Sequence, residues 1–214
     1  MQTFVIATRN RHKVGEIQAV LGAAPRYVTL AELPDAPGVV EDAPTFAGNA
    51  TKKARALAHW LAGRPDAAAW SGALVLADDS GLEVDALGGA PGVHSARFAA
   101  PEAPASAGNA SDAANNDKLL RLLAEVPAEA RTARFRCVIA LARVGGDEVP
   151  RVFDGACEGT ILTALRGRAG FGYDPLFQPA GFAETFAELG EAVKNRISHR
   201  ARALAAMAAA LAAG

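Results

Sequence analysis

The chain has 214 residues, half of them hydrophobic, and a formal net charge of −1, enough apolar material to bury a sizeable core. A near-neutral balance argues against a duplex or RNA binder, which carries a strongly basic face, so no nucleic-acid partner is expected. No apolar run approaches the length that spans a bilayer, and residues 3–7 read as a strand without a basic n-region or cleavage site. A soluble, cytoplasmic protein without a membrane partner is the expectation. Cys137 and Cys157 lie in strand-like runs without metal-ligand spacing, as buried thiols of a reducing compartment do.

In chain order, the strand at 3–7 leads through Thr8-Arg9-Asn10-Arg11-His12-Lys13 into a helix. Val14, Ile17, Val20 and Leu21 repeat at helical spacing there, and Gly22 is its stop. A short strand over 27–30 and a loop over 34–44, rich in Pro, Gly and Asp, come next. A second helix is predicted over 45–62, with Phe46, Ala50, Leu57 and Leu61 on one face, ending at Gly63-Arg64-Pro65. The apolar run 73–77 predicts a buried strand that ends in an acidic turn, Asp78-Asp79-Ser80-Gly81, with a hairpin over 82–89 behind it.

Residues 99–108, rich in Ala and Pro, are expected to form a mobile excursion, followed by a helix over 109–125 with Leu119, Leu122 and Leu123 inward. Segments 134–144 and 149–162, joined at Gly145-Gly146-Asp147, predict a long antiparallel hairpin. A glycine-rich loop over 167–173, a helical turn over 185–189 and a closing helix over 197–213 complete the chain. The closing helix carries Ile197, Ala201, Leu204 and Leu211 along one stripe. Helices alternating with strands around a hairpin predict an α/β fold, a mixed sheet with helices on its faces, in a single domain over 1–214 without a separable linker.

Five constellations carry chemistry. Adjacent carboxylates at Asp78 and Asp79 repel each other, and a hard divalent cation with one or two carboxylate ligands offsets such a pair; an ordinary polar turn is the alternative. Successive side chains at a strand end diverge, so the two cannot share one coordination position. Positive charge at 9–13 opposes the helix dipole unless an anion binds the N-terminus, which points to phosphate. On the second helix Lys53, not Lys52, lines up with Asn49 four residues earlier, downstream of Glu41-Asp42. Gly170-Phe171-Gly172-Tyr173-Asp174 offers a stacking face, close backbone approach and an acceptor for a ring N–H, while taken alone a core-plugging Phe in a tight turn is the favoured reading. Lys194 and Ser198-His199-Arg200, at the start of the closing helix, add donors for a carbonyl-bearing base or a phosphate.

The runs Ala7-Thr8-x-Asn10-x-x-Lys13, Glu41 with Thr45-Phe46, and Asn49-Ala50-x-x-Lys53-Ala54-Arg55 are followed by Ala77-Asp78-Asp79-Ser80-Gly81-Leu82 and Gly88-Gly89-Ala90-Pro91-Gly92-Val93. Ser95-Ala96-Arg97, Phe171-Gly172-Tyr173-Asp174-Pro175 and Ile197-Ser198-His199-Arg200 complete the series. In this order and spacing, from residue 1 to about 204, the chain resembles the non-canonical purine nucleoside triphosphate pyrophosphatase family, which hydrolyses inosine and xanthosine triphosphates.

The resemblance implies an elongated central sheet flanked by helices, two lobes with an active-site cleft between them, and a homodimer. It implies that Thr8, Arg9, Asn10, Arg11, His12, Lys13 and Lys53 grip the triphosphate, and that Glu41 and Asp79 hold Mg2+. Asp79 would also accept the proton of the attacking water. Ser80 would contact substrate, and Phe171, Gly172, Tyr173, Asp174, Lys194, His199 and Arg200 would bind the nucleoside. Donors such as His199 and Arg200 would favour a 6-keto purine, while the exclusion of GTP requires a further contact at the 2-position. Three departures stand out: Arg9 where the family often has Gly, Gly48 where an acidic residue often precedes Asn49, and a longer Ala/Pro-rich segment 99–114.

Overall fold

The computed structural model describes residues 1–100 and 108–213. The excursion expected over 99–108 therefore falls mainly outside the described residues, as does much of segment 99–114. Six strands are formed: β1 (Thr3–Ile6), β2 (Arg26–Thr29), β3 (Leu74–Val84), β4 (Thr132–Arg143), β5 (Arg151–Ile161) and β6 (Phe177–Pro179). They build one mixed sheet in the order β2-β1-β3-β4-β5-β6. β1 runs parallel to β2 and to β3, pairing Phe4 with Tyr27 and with Leu74, and β6 is antiparallel to β5. The helices flanking the sheet are α1 (Arg11–Leu21), α2 (Phe46–Ala62), α3 (Asp112–Leu122), α4 (Phe186–Leu189), α5 (Glu191–Ile197) and α6 (His199–Ala212).

Side-chain oxygens cap the helix starts. Asn10 Oδ1 accepts from the His12 and Lys13 N–H groups, Thr45 Oγ1 from Gly48, and Ser111 Oγ from Ala114. Each such cap contributes about 1 kcal/mol. Thr185 and Glu188 close a reciprocal capping box around α4, the helical turn expected over 185–189.

The chain forms two compact units. The first comprises Met1–Asp79, Cys137–Gly155 and Arg200–Gly214, and the second Ser80–Arg136 and Ala156–His199. In the first, Phe4 and Ile6 of β1, Leu74 and Leu76 of β3, and Cys137, Ile139 and Leu141 of β4 recur at every second residue, which puts them on one face of the sheet. Ile17 of α1 and Ala203, Leu204 and Met207 of α6 pack on that face. In the second, Leu82 and Val84 join Leu119, Leu123, Phe135, Phe177 and Phe186 in a separate core.

Four sequence expectations are corrected. Asp78-Asp79-Ser80-Gly81 is no turn, because β3 runs unbroken through it to Val84. The carboxylates tolerate the strand interior because each has buried partners, described below. The hairpin over 82–89 reduces to a single antiparallel bridge between Glu83 and Pro91, with a 3-10 turn Asp85–Leu87 inside it. Leu122 is 49% exposed, while Leu119 and Leu123 form the inward edge of α3. The closing helix starts at His199, because the chain is extended at Ser198 (φ −68°, ψ 161°), so Ile197 and Lys194 belong to the preceding helix α5 and not to the start of α6.

Candidate active site

The first unit concentrates charge around the middle of β3. Pleating sends Asp78 and Asp79 to opposite faces, and the two meet different partners. Asp78, 1% exposed, accepts from Arg200 Nε at 2.8 Å, Lys13 Nζ at 2.5 Å and Cys137 Sγ at 3.0 Å. Burial works to raise the Asp78 pKa, but the charges of Arg200 and Lys13 outweigh it and hold the carboxyl well below its usual range. Burial and the same carboxylate push the Cys137 thiol up, keeping it protonated and donating. Arg200, itself 1% exposed, also pairs with Glu16 of α1.

On the other face Asp79 takes a bond from Asn49 Nδ2 at 3.3 Å and lies 3.3 Å from Lys53 Nζ. The same ammonium reaches Glu41 Oε2 at 2.8 Å. Asn49 and Lys53 are one turn apart on α2, and Asn49 Oδ1 accepts from the Ala43 N–H, which ties the loop bearing Glu41 to the helix. Burial raises the Asp79 pKa, Lys53 and Lys13 oppose it, and Glu41 and Asp78 add to it, leaving the carboxyl pushed up to about 6. The Lys53 pKa is also raised, but for a different reason: its burial works to lower it, and the charges of Asp79 and Glu41 outweigh that burial.

Among these side chains stand three cations, Lys13, Lys53 and Arg200, and four carboxylates, Glu16, Glu41, Asp78 and Asp79. Burial is the largest cause of the raised Asp79 pKa, and the surplus carboxylate adds to it. Glu41 and Asp79, drawn together by one ammonium, are two hard oxygen donors. No cluster of three or more His, Cys, Asp or Glu suited to a metal occurs among the described residues. A magnesium ion fits such a pair, since it takes one or two protein carboxylates and fills its remaining positions with water and phosphate oxygens.

The second unit holds the aromatic loop. Asp174, 2% exposed, accepts from Lys194 Nζ at 2.6 Å and from the Phe171 N–H at 2.9 Å. The Lys194 ammonium stands 4.4 Å from the centre of the Phe171 ring, a cation–π contact. An added Cβ on Gly170 would lie 2.2 Å from Asp174 Oδ2, so only glycine lets the carboxylate fold back onto the loop. The Tyr173 hydroxyl donates to Ser95 O at 2.8 Å. His199 is buried and stacks on Phe135, the rings 4.8 Å apart and 14° from parallel.

The Ham1 family profile matches residues 4–210. The dITP/XTP pyrophosphatase of Desulforamulus reducens is 50% identical over 201 residues, 94% of this chain and 90% of its own length. That of Opitutus terrae is 49% identical over 210 residues, covering 95% of each. The solved structure of a Ham1 protein from Coxiella burnetii superposes with a TM-score of 0.82 at 37% identity, covering all of both chains. The chain belongs to the Ham1 family.

On this Ham1 scaffold the expected residues fall into two groups. Lys13, Glu41, Lys53 and Asp79 converge in the first unit, and Phe171, Gly172, Tyr173, Asp174 and Lys194 in the second. The first turn of α1 corrects the expectation of N–H groups awaiting an anion: those of His12 and Lys13 are taken by Asn10 Oδ1, and the Asn10 N–H by Thr8 Oγ1. The cation of Lys13 is offset by Asp78. Arg9 is exposed and donates to Ala36 O at 3.3 Å, Arg11 and His12 are exposed, and Ser80 is half-buried in β3. Arg200, expected as a donor to the base, has its guanidinium committed to Asp78 and Glu16.

Gly48 has a local reason. A Cβ there would lie 2.7 Å from Ala43 Cβ, so the loop holding Glu41 packs too closely on α2 for an acidic side chain. Sequence reasoning passed over Glu16, Cys137 and Phe135 as partners of the site. Glu16 lies three residues after Lys13 on α1, a helical neighbour and the one available signal; Cys137 and Phe135 are placed only by the sheet.

Proposed function

We propose that the chain is a nucleoside triphosphate pyrophosphohydrolase that converts dITP, ITP and XTP to the monophosphate and pyrophosphate. The observation that carries this reading is the Glu41–Lys53–Asp79 cluster, in which a buried carboxyl is raised to about 6 beside a second carboxylate and an ammonium. The names of the relatives support it. The attacking water loses its proton to Asp79 as its oxygen bonds to the α-phosphorus, and the bond from that phosphorus to the bridging oxygen breaks. The leaving pyrophosphate carries the electron pair. A base whose pKa sits near the working pH suits this transfer.

Lys13 and Lys53 would bind phosphate oxygens, each ammonium having three N–H donors to share between its carboxylate partner and the substrate. Glu41 and Asp79 would hold Mg2+, which when bound neutralises phosphate charge and polarises the reacting centre. Thr8, Arg9, Asn10, Arg11 and His12 line the approach of the phosphate chain, and Ser80 contacts substrate. Phe171 supplies the stacking face, and Lys194, His199 and the loop through Asp174 receive the nucleoside. Arg200 serves this reading mainly by holding Asp78. No described helix is long and apolar enough to cross a membrane, and a homodimer working in the cytoplasm is proposed on the family resemblance.

The test is pyrophosphate release from ITP, XTP, GTP and ATP, side by side, with and without magnesium. Magnesium-dependent release from ITP and XTP well ahead of GTP and ATP is the expected result. Equal release from all four removes the base preference, and ITP binding without release makes the chain a binding protein.

A further inference from the structure

Helix α3 lies outside every constellation read from the sequence, yet it grips the aromatic loop by the backbone. Asn116 Nδ2 donates to Gly172 O at 2.9 Å, and the Gly172 N–H donates to Asp112 Oδ2 at 2.6 Å. Both polar groups of one loop residue are thus held by two side chains one turn apart on a single helix face. Gly172 has φ +63°, a conformation that L residues rarely adopt, so the loop is pinned where its backbone is least ordinary. The neighbouring Asn115 serves a different segment, accepting from the Ala99 N–H and donating to Ala96 O.

Asn116 is 4% exposed, and among the described residues nothing donates to its Oδ1. A buried carbonyl without a donor weakens the fold, so stability alone does not account for an amide at this position. A leucine there would fill similar space without that penalty. What the amide achieves is the bond to Gly172.

We infer that Asn116, assisted by Asp112, is a positioning residue for nucleoside binding: the pair fixes the Gly172 peptide and with it the Phe171 ring and the Asp174 carboxylate on either side. This rests on the proposed function, in which that loop receives the purine. Both residues belong to the second unit and the Glu41–Lys53–Asp79 cluster to the first, so their loss is expected to act on the nucleoside and not on the phosphates.

The experiment compares the wild-type chain with Asn116→Leu, Asp112→Ala and the conservative Asp112→Asn, which keeps an acceptor for the Gly172 N–H. Steady-state kinetics on ITP are measured, with inorganic tripolyphosphate as a base-free competitive inhibitor, and exchange of the Gly172 amide proton is followed by NMR. Asn116→Leu and Asp112→Ala are expected to raise KM for ITP about tenfold while kcat changes less than about threefold. The tripolyphosphate inhibition constant should stay within about twofold, the Gly172 amide should exchange faster in Asp112→Ala, and Asp112→Asn should recover most of the loss.

An unchanged KM in both variants, with wild-type turnover of ITP intact, overturns the positioning role. A tripolyphosphate constant that worsens in step with KM overturns it too, since the effect is then general. If Asn116→Leu does not fold, Asn116→Ser removes the amide without apolar bulk. Should the wild-type chain fail to turn over ITP, the proposed function falls, and the Gly172 exchange rates, which need no substrate, still decide whether the clamp holds the loop.

Discussion

Asp78 and Asp79 are consecutive residues of β3, yet their carboxyl groups are displaced in opposite directions, Asp78 well below the ordinary value and Asp79 up to about 6. Both are buried, so desolvation pushes each upward. The difference lies in what each face of the strand supplies. Asp78 meets a guanidinium, an ammonium and a thiol donor, whereas Asp79 shares one ammonium with Glu41 and feels Asp78 as a like charge. One carboxylate is a permanent structural charge. The other is poised to exchange a proton near neutral pH, the property sought in a general base or a metal ligand.

Asp79→Asn is expected to abolish turnover without loss of stability. Removing a general base lowers the rate by about 10²–10⁴-fold. A carboxyl whose folded pKa lies above its unfolded value, near 3.9, stabilises fully below the unfolded value and loses that contribution as pH rises through about 6. The asparagine variant escapes this loss, so its Tm relative to wild type should be more favourable at pH 8 than at pH 5. Thermal melts at the two pH values check it; a variant relatively less stable at pH 8 contradicts the raised pKa.

The pH profile of kcat/KM at limiting magnesium should rise through about pH 6, as Asp79 loses its proton. Proton and cation compete for the same oxygens, so higher magnesium should move the rising limb to lower pH. A limb that stays fixed across a wide range of magnesium concentration would separate the titrating group from the metal.

Much of this was legible in the sequence because it rests on local chemistry. The helices at 11–21 and 46–62 follow from apolar residues at helical spacing, and the pairing of Asn49 with Lys53 follows from that spacing alone. The divergence of Asp78 and Asp79 follows from strand pleating. What could not be read is what depends on chain-distant partners. Asp78 and Arg200 are 122 positions apart, and without Arg200 in view two aspartates after an apolar run read as a turn. The break at Ser198 was hidden because helical periodicity continues through it. The contacts of Arg200 with Asp78 and Glu16 were out of reach for the same reason, since both partners lie far from it in the chain.

Asp78→Asn should be strongly destabilising, by about 3–5 kcal/mol, because it removes the buried carboxylate that both Arg200 and Lys13 contact and leaves Glu16 as the one carboxylate described on the buried guanidinium. Its lowered pKa makes the charge stabilising above the unfolded value, with the contribution lost as pH falls toward the folded one. Urea unfolding should therefore show a gap between wild type and variant at pH 7 that narrows in acid. Adding Arg200→Gln should cost less than the sum of the two single changes, since the pair is removed together.

Lys53→Met tests the electrostatics of the cluster against its neighbour in sequence. The Lys53 charge is the largest influence holding the Asp79 pKa down, so its removal should drive that pKa above about 6 and move the rising limb of the pH profile upward. Lys52→Met is the control: Lys52 pairs with Asp42 on an exposed surface, where solvent screens the pair. The limb should stay in place for Lys52→Met and shift only for Lys53→Met. The adjacent lysines differ by about 100° around α2, and only Lys53 shares the face of Asn49 that looks onto Asp79. Carboxyl NMR of Asp79 in both variants measures the shift directly, and equal displacement in the two would mean that general surface charge, not the buried contact, sets the pKa.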